Sequence, residues 1–471
     1  MSEVIDLTEL MELQTQKREA DRDLPDWVFT DDKGNLRVSA SKLGYEIMKE
    51  VPMIRSNELS YGARFDKNTG AWRMDSLSDY LDGHITKKLE SVGKWSQQKL
   101  NETKKFIFIK IFDSTMKDNP FNHSKPYLAN FKNGTYNIKT NEMKPHDIKD
   151  YIMQSHNYSI DPQAYQLPVK TMQWLQDLTG DSKSADHLME MVGYCFYRSY
   201  APFQTITILQ GSGENGKSTF LDFLMMVLCQ ENVSNVTLQD LGNKQNRFAS
   251  SNLFQMLANI FADVDAEFIK STGLLKALTG GDRLSAEFKG KDSFMFINFA
   301  KLIFSCNELP PFSDFTKGFE RRLNVIPFDC VIDDDFKKDH NLDEIYAEIP
   351  QFTVYCMQMF NEALNRKSLT VSDKMKQAKD KWLKESNHVQ RFIDEYCVID
   401  KTNKAGASSK AVYEYYIGYC FDEGIKRLSQ PNFNKQLEKM GVYKIQSREN
   451  GEKIRRYSHL FLKNNYTPSK S

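Results

Sequence analysis

TITILQGSGENGKSTFLDFL, residues 205–224, narrows the folds open to this chain more than any other stretch. TITILQ is a run of β-branched and apolar residues that reads as a buried strand. Gly211-Ser212-Gly213-Glu214-Asn215-Gly216-Lys217-Ser218 then fits G-x-x-x-x-G-K-[ST] at every fixed position, and Thr219 leads into a helical pattern. Strand, glycine-rich loop and helix in that order make a cradle for a polyphosphate. The glycines let backbone N–H groups curl around the anion, and the helix N-terminus adds partial positive charge. Lys217 is expected on the β and γ phosphates, and Ser218 on Mg2+. The expectation is an α/β fold that binds a nucleoside triphosphate.

At 471 residues, with 40% hydrophobic and 27% charged content, the chain has the make-up of a globular protein of roughly two to four domains. The opening MSEVIDLTELMELQTQKREADRD is polar and acidic, without the basic-then-apolar pattern of a secretion signal. No run approaches the about 18 apolar residues of a membrane span. The seven cysteines stand singly, none in a C-x-x-C pair, so zinc is not expected and a reducing cytoplasm is. Net charge is zero, but residues 425–471 carry eleven Lys/Arg against three Glu, with aromatics interleaved. That excess is either a solvated tail or a nucleic-acid surface.

The stretches after the loop supply further parts. MLANIFADVDAEFI (256–269) reads as a strand ending in Asp263 and Asp265, either a surface pair or the carboxylates that organise Mg2+ and polarise an attacking water. RLSAEF and SFMFINF alternate as two strands of a hairpin with Lys289 and Lys291 at its tip. AKLIFSC reads as a buried strand delivering Asn307, whose amide suits orienting a water or sensing the γ-phosphate. Arg321 and Arg322 stand just before another strand, LNVIPF. They are either surface charge or a finger that a neighbouring subunit inserts into the phosphate site. Upstream, FKNGTYNIKTNEMKPHD (131–147) reads as two short strands around turns at Asn133-Gly134 and Thr140-Asn141.

The order GSGENGKST, NIFADVD, LTGGD…EFKGKD, LIFSCNELPP, FERRLNVIPF resembles superfamily 3 helicases, and more closely the D5-like and P4-like replicative helicases of phages, plasmids and genomic islands. NGTYNIKTNEMKPHD followed by YSIDP is similar to the D5 N-terminal domain of that group. The resemblance covers most of 120–465. It implies ATP and Mg2+ as cofactors and a homo-oligomeric ring, a hexamer, translocating on DNA. It makes Gly211 to Thr219 the Walker A loop and Asp263 the principal Walker B acid, with Ser218 and Asp263 on the metal. Asn307 matches sensor 1, Lys289 and Lys291 the DNA-touching hairpin, and Arg321 or Arg322 the arginine finger. Ala262 precedes Asp263 where the family often has a second adjacent acid, so the water-activating residue stays open between Asp263 and Asp265. A primase or polymerase is an implied partner. No acidic triad stands among residues 1–120, so no primase core is expected there.

The last unit speaks for nucleic acid independently. LSQPNFNKQLEKM (428–440) is an amphipathic helix carrying Asn434, Lys435 and Lys439, and YKIQSRENGEKIRRYSHLFL (443–462) reads as a hairpin armed with Arg448, Lys453, Arg455 and Arg456. A helix beside a basic wing is a winged-helix pattern for duplex DNA or for docking a protein. The expected organisation is an N-terminal region with a mixed α/β D5-like domain at 1–165, an AAA+-type superfamily 3 ATPase at 166–385 and a winged helix at 386–471. An ATP-dependent DNA helicase is the leading expectation. An origin-melting initiator without processive unwinding and a DNA-binding adaptor with a structural nucleotide site are its rivals.

Overall fold

The computed structural model describes residues 24–57, 59, 61–123, 125–163, 166–242, 249–265, 269, 271–287, 293–312, 314–423, 427–449 and 452–463. Its centre is a five-stranded sheet in which every pairing is parallel. Across the sheet stand the edge strand Val233–Ser234, the acid strand Ala258–Phe261, the asparagine strand Lys301–Cys306, the loop strand Ile206–Gln210 and the arginine strand Leu323–Pro327. A parallel sheet is covered on both faces, so its strands are apolar on both sides rather than alternating. The asparagine strand is buried at all six positions.

Helices Val169–Thr179, Ser182–Phe196, Lys217–Leu228 and Ile349–Arg366 pack into the same core. Ser182–Phe196 is buried almost all round because LMEMVGYCF offers no polar face wide enough to meet water. Its Glu190 is buried yet held by Arg366 and Thr370, the condition on which a carboxylate tolerates burial. Asp333, in the acidic run Asp333–Asp335, caps the next helix by accepting from the Phe336 N–H at 2.8 Å.

Ahead of the core, helices Ala40–Glu50, Leu77–Ser91 and Gln97–Lys110 close over Leu43, Ile47, Leu81, Ile85 and Ile107. A small sheet of Met53–Ile54, Ala63–Asp66 and Ala71–Arg73 follows the first of these helices. The stretch expected to give two strands gives three, Leu128–Phe131, Gly134–Asn137 and Glu142–Lys144, because the first begins upstream of the motif and pairs Leu128 with Asn137. The C-terminal unit has its own core of Val389, Phe392, Val412, Tyr416, Phe433, Leu437 and Tyr457. Three helices there, His388–Tyr396, Ser409–Asp422 and Gln430–Lys439, precede a hairpin of Lys444–Glu449 and Glu452–Tyr457. Leu460–Leu462 then pairs back with Cys397–Ile399. All seven cysteines are free. No helix among the described residues is long and apolar enough to cross a membrane.

Candidate functional site

The loop strand ends at Gln210, and the chain turns through Gly213 (φ 107°), Glu214 (φ 50°) and Gly216 (φ 77°) before Lys217 opens the helix. Two of these three left-handed positions are glycines, which adopt them without steric penalty. A Cβ on Gly216 would also sit 2.5 Å from Leu178, and one on Gly211 2.5 Å from the Phe328 carbonyl. Lys217 is buried at the helix start, where its Nζ donates to the Gly211 carbonyl at 2.8 Å and to Asn307 Oδ1 at 3.3 Å. Burial lowers its pKa from the usual lysine value, against the opposing pull of the Cys306 thiol and the Asp263 carboxylate. Asn215 ties the loop to the chain beyond the arginine strand, donating to the Cys330 carbonyl at 2.7 Å.

Gly213 to Thr219 line a cavity of about 570 Å3 together with Asp263, Asn307, Ile332 and Lys337. Strand order explains the meeting: the asparagine strand stands between the loop strand and the acid strand, so all three open at the same end of the sheet. Asp263 adopts φ 52°, a left-handed conformation that Asp visits more readily than most residues and that clusters at functional sites. Two bonds hold it there: its N–H donates to Ser305 Oγ at 3.3 Å, and the Val264 N–H to the Ser305 carbonyl at 2.8 Å. Asp265 is exposed and does not line the cavity; its carbonyl accepts from Gln239 at 3.1 Å. Ser212 is exposed outside the lining, and Gly211 takes part through its carbonyl. Ser218 and Asp263 present a hydroxyl and a carboxylate to one cavity, hard oxygen donors of the kind Mg2+ takes.

The arginines lie at the other end. Leu323 pairs with Ile206 and Pro327 with Gln210, so Arg321 and Arg322 precede the strand whose far end meets the loop. Arg322 is buried, donating from Nε to Thr279 Oγ1 at 2.9 Å, from Nη2 to Gln204 Oε1 at 3.3 Å and from Nη1 to the Gly318 carbonyl. Burial, then the neighbouring Arg321 charge, lowers its pKa. Arg321 is exposed and donates to the same Gln204 oxygen.

Lys289 and Lys291 fall outside the described residues, but the arms of their hairpin are the strands Arg283–Glu287 and Ser293–Ile297. In the C-terminal hairpin Arg448 opposes Lys453 and Arg455 opposes Gln446, which puts the three basic side chains on one face, all exposed. The Tyr457 hydroxyl, on that face, donates to Asn434 Oδ1 at 2.5 Å and so ties the helix bearing exposed Lys435 and Lys439 to it. Lys439 reaches the Phe315 carbonyl at 3.4 Å. Arg456 departs from the set. It points to the opposite face and donates to the Gly406 carbonyl and to Ser447 Oγ, each at 3.1 Å.

Ile332 and Lys337 were not legible as cavity residues in the sequence. VIDDDFKK reads as a solvated acidic turn, and only the return of the chain over the loop, where the Ile332 N–H donates to the Glu214 carbonyl at 3.2 Å, brings them in.

Comparison with known proteins divides along these lines. Residues 54–180 match the family described as D5 N terminal like, residues 209–322 a family of unknown function, DUF5906, and residues 384–466 the family described as Poxvirus D5 protein-like. The first match begins well before the motif stretch at 131–147, taking in the helices at 77–110, and runs past the expected boundary at 165. "Putative helicase L207/L206" of Acanthamoeba polyphaga mimivirus is 23% identical over 69% of this chain and 37% of its own length. "Putative helicase 121R" of Invertebrate iridescent virus 3 is 22% identical over 62% of this chain and 34% of its own. The chain thus spans about a third of the length of these relatives. Two solved structures of the NrS-1 C-terminal region cover 88% of this chain with TM-scores of 0.46 and 0.48, at 15% and 14% identity. D5-type matches thus stand on both sides of the 209–322 segment, and the chain resembles the D5-like superfamily 3 replication helicases in sequence.

Proposed function

We propose that this chain is an ATP-dependent DNA helicase motor for replication of a mobile genetic element, working as a ring, most simply a hexamer. One observation carries the reading. Lys217, Asp263 and Asn307 line one cavity at the loop end of the parallel sheet, while Arg321 and Arg322 stand at its opposite end. The strand order, with the asparagine strand beside the loop strand, supports an AAA+-type core. Five residues of strand, about 16 Å at the usual rise, separate the arginines from the loop of their own chain. That exceeds the reach of an arginine side chain, so a finger from this chain would complete a neighbour's site. Arg321 suits that role because it is exposed, whereas Arg322 is buried among its acceptors.

In this reading Lys217 neutralises the β and γ phosphates and Asn307 orients the attacking water. Asp263 takes the water's proton or holds the metal with Ser218, and Mg2+ bound there would neutralise developing phosphate charge. Lys289 and Lys291 would follow the DNA strand in the ring channel. The exposed Arg448, Lys453 and Arg455 face, joined to the Gln430–Lys439 helix, supports a winged helix that grips duplex phosphates. That same face favours, as a second reading, an initiator that melts an origin without processive unwinding.

ATPase assays with and without single-stranded DNA, followed by single-turnover unwinding of a long fork, separate the readings. A helicase is stimulated by DNA and unwinds the fork. An initiator hydrolyses ATP and does not unwind, and a protein without ATPase activity would defeat both.

A further inference from the structure

The hairpin at 283–297 is linked to the phosphate cavity by a short path. Its second strand runs through Asn298, Phe299 and Ala300 into the asparagine strand, and Asn307 at the end of that strand meets Lys217. Asn298 fixes the junction, donating to the Leu278 carbonyl at 3.0 Å and the Ala300 carbonyl at 3.3 Å while accepting from the Ala300 N–H at 3.2 Å.

The root of the same hairpin is gripped from outside the sheet. Arg283 and Ile297 face each other across its first rung. Asp118 forms an ion pair with Arg283, and Asn122 Oδ1 accepts from the Ile297 N–H at 3.4 Å. Asn122 Nδ2 also donates to the Met295 carbonyl at 3.5 Å. The short stretch 118–122 thus holds both strands at the root of the hairpin. Above it, Phe254 meets Phe294 and Phe296 edge-on at 4.8 and 5.7 Å, and Met74 of the N-terminal region packs into that cluster.

A two-stranded ribbon is marginal alone and takes its direction from what touches it. The buried core under this one is small: Phe254, Ala286 and Phe296. We infer that the stretch 118–122 is a positioning element for the hairpin, a pivot at its root that sets where the tip meets single-stranded DNA. The inference rests on the proposed reading of the hairpin as DNA-contacting. Residues 118–122 fall inside the D5 N-terminal-like match, so that region would serve the motor's stroke directly. Long hydrogen bonds and a half-exposed ion pair are weak enough to be remade in each cycle.

The test is ATPase rate against oligothymidylate concentration for Asp118→Asn/Asn122→Ala. The asparagine keeps the oxygen that caps the Asn119 N–H at 2.7 Å. Basal ATPase and melting temperature should match the wild type, while the half-saturating DNA concentration rises about fivefold to tenfold. Asp118→Glu/Asn122→Gln should restore most of the lost response. Unchanged half-saturation in the double variant, with DNA-stimulated wild type beside it, would overturn the inference, as would a parallel fall in basal rate. A wild type that DNA does not stimulate would instead defeat the reading of the hairpin itself.

Discussion

The two ends of the parallel sheet treat their cations in opposite ways. At the loop end Lys217 is buried against two neutral acceptors, a carbonyl and an amide oxygen, beside a cavity of about 570 Å3. At the other end Arg322 is filled by Thr279, Gly318 and Gln204, and its neighbour Arg321 stays exposed. In the proposed reading the buried ammonium beside the cavity receives an anion, whereas a guanidinium bonded to three acceptors of its own chain holds structure. The exposed arginine is therefore the one whose counter-charge is to be sought on another copy. In the proposed reading each end holds part of a phosphate-transfer site.

Breaking either end should give the largest effects. Lys217→Ala and Arg321→Ala should each lower ATP turnover by about a thousandfold or more, the first by removing phosphate charge contact and the second by removing the finger. Steady-state hydrolysis by folded, assembled protein checks both; near-normal turnover in Arg321→Ala would hand the role to Arg322 or to neither. Within the loop end, Asp263→Asn should cost about a hundredfold in turnover and spare nucleotide binding, while Asp265→Asn, off the cavity, should cost less than about tenfold. A reversed ranking would reassign the water-activating acid. Arg322→Ala should act mainly on stability, by about 2 kcal/mol, because three acceptors lose a charged donor. Chemical denaturation measures it, and an undiminished midpoint would contradict the structural role.

A pH-dependent effect concerns Lys301, buried on the asparagine strand with its ammonium donating to the Tyr197 and Phe299 carbonyls at 2.8 and 2.7 Å. Burial brings its pKa down from the ordinary 10.5 to about 7, against the opposing pull of Cys195. Between those values the unfolded chain binds more protons than the folded one, so stability should rise with pH across that window. Lys301→Met should flatten that slope in pH-dependent melting; an unchanged slope would mean that the carbonyls keep the ammonium charged throughout.

Much of this was readable from the residues. The strands, the loop and the helix after it follow from local apolar runs and glycine positions. What local pattern could not give was the environment of each charged group. Arg321 and Arg322 are equivalent on paper, yet Gln204 and Thr279, 118 and 43 residues from Arg322, absorb that guanidinium. Asp263 and Asp265 alternate equally well. Only Ser305, 42 residues on, pins Asp263 into the left-handed turn that brings it to the cavity. Arg456 looked like its basic neighbours until the hairpin register turned it to the other face.

The central claim, that one copy's loop works with another copy's arginine, is tested most directly by mixing. ATPase rate is measured at fixed total protein as Lys217→Ala and Arg321→Ala are combined in varying ratio. Each alone should be nearly inactive, and intermediate mixtures should recover part of the wild-type rate, because one kind of interface then joins an intact loop to an intact Arg321. A flat, inactive line across all ratios, with co-assembly demonstrated, would contradict it.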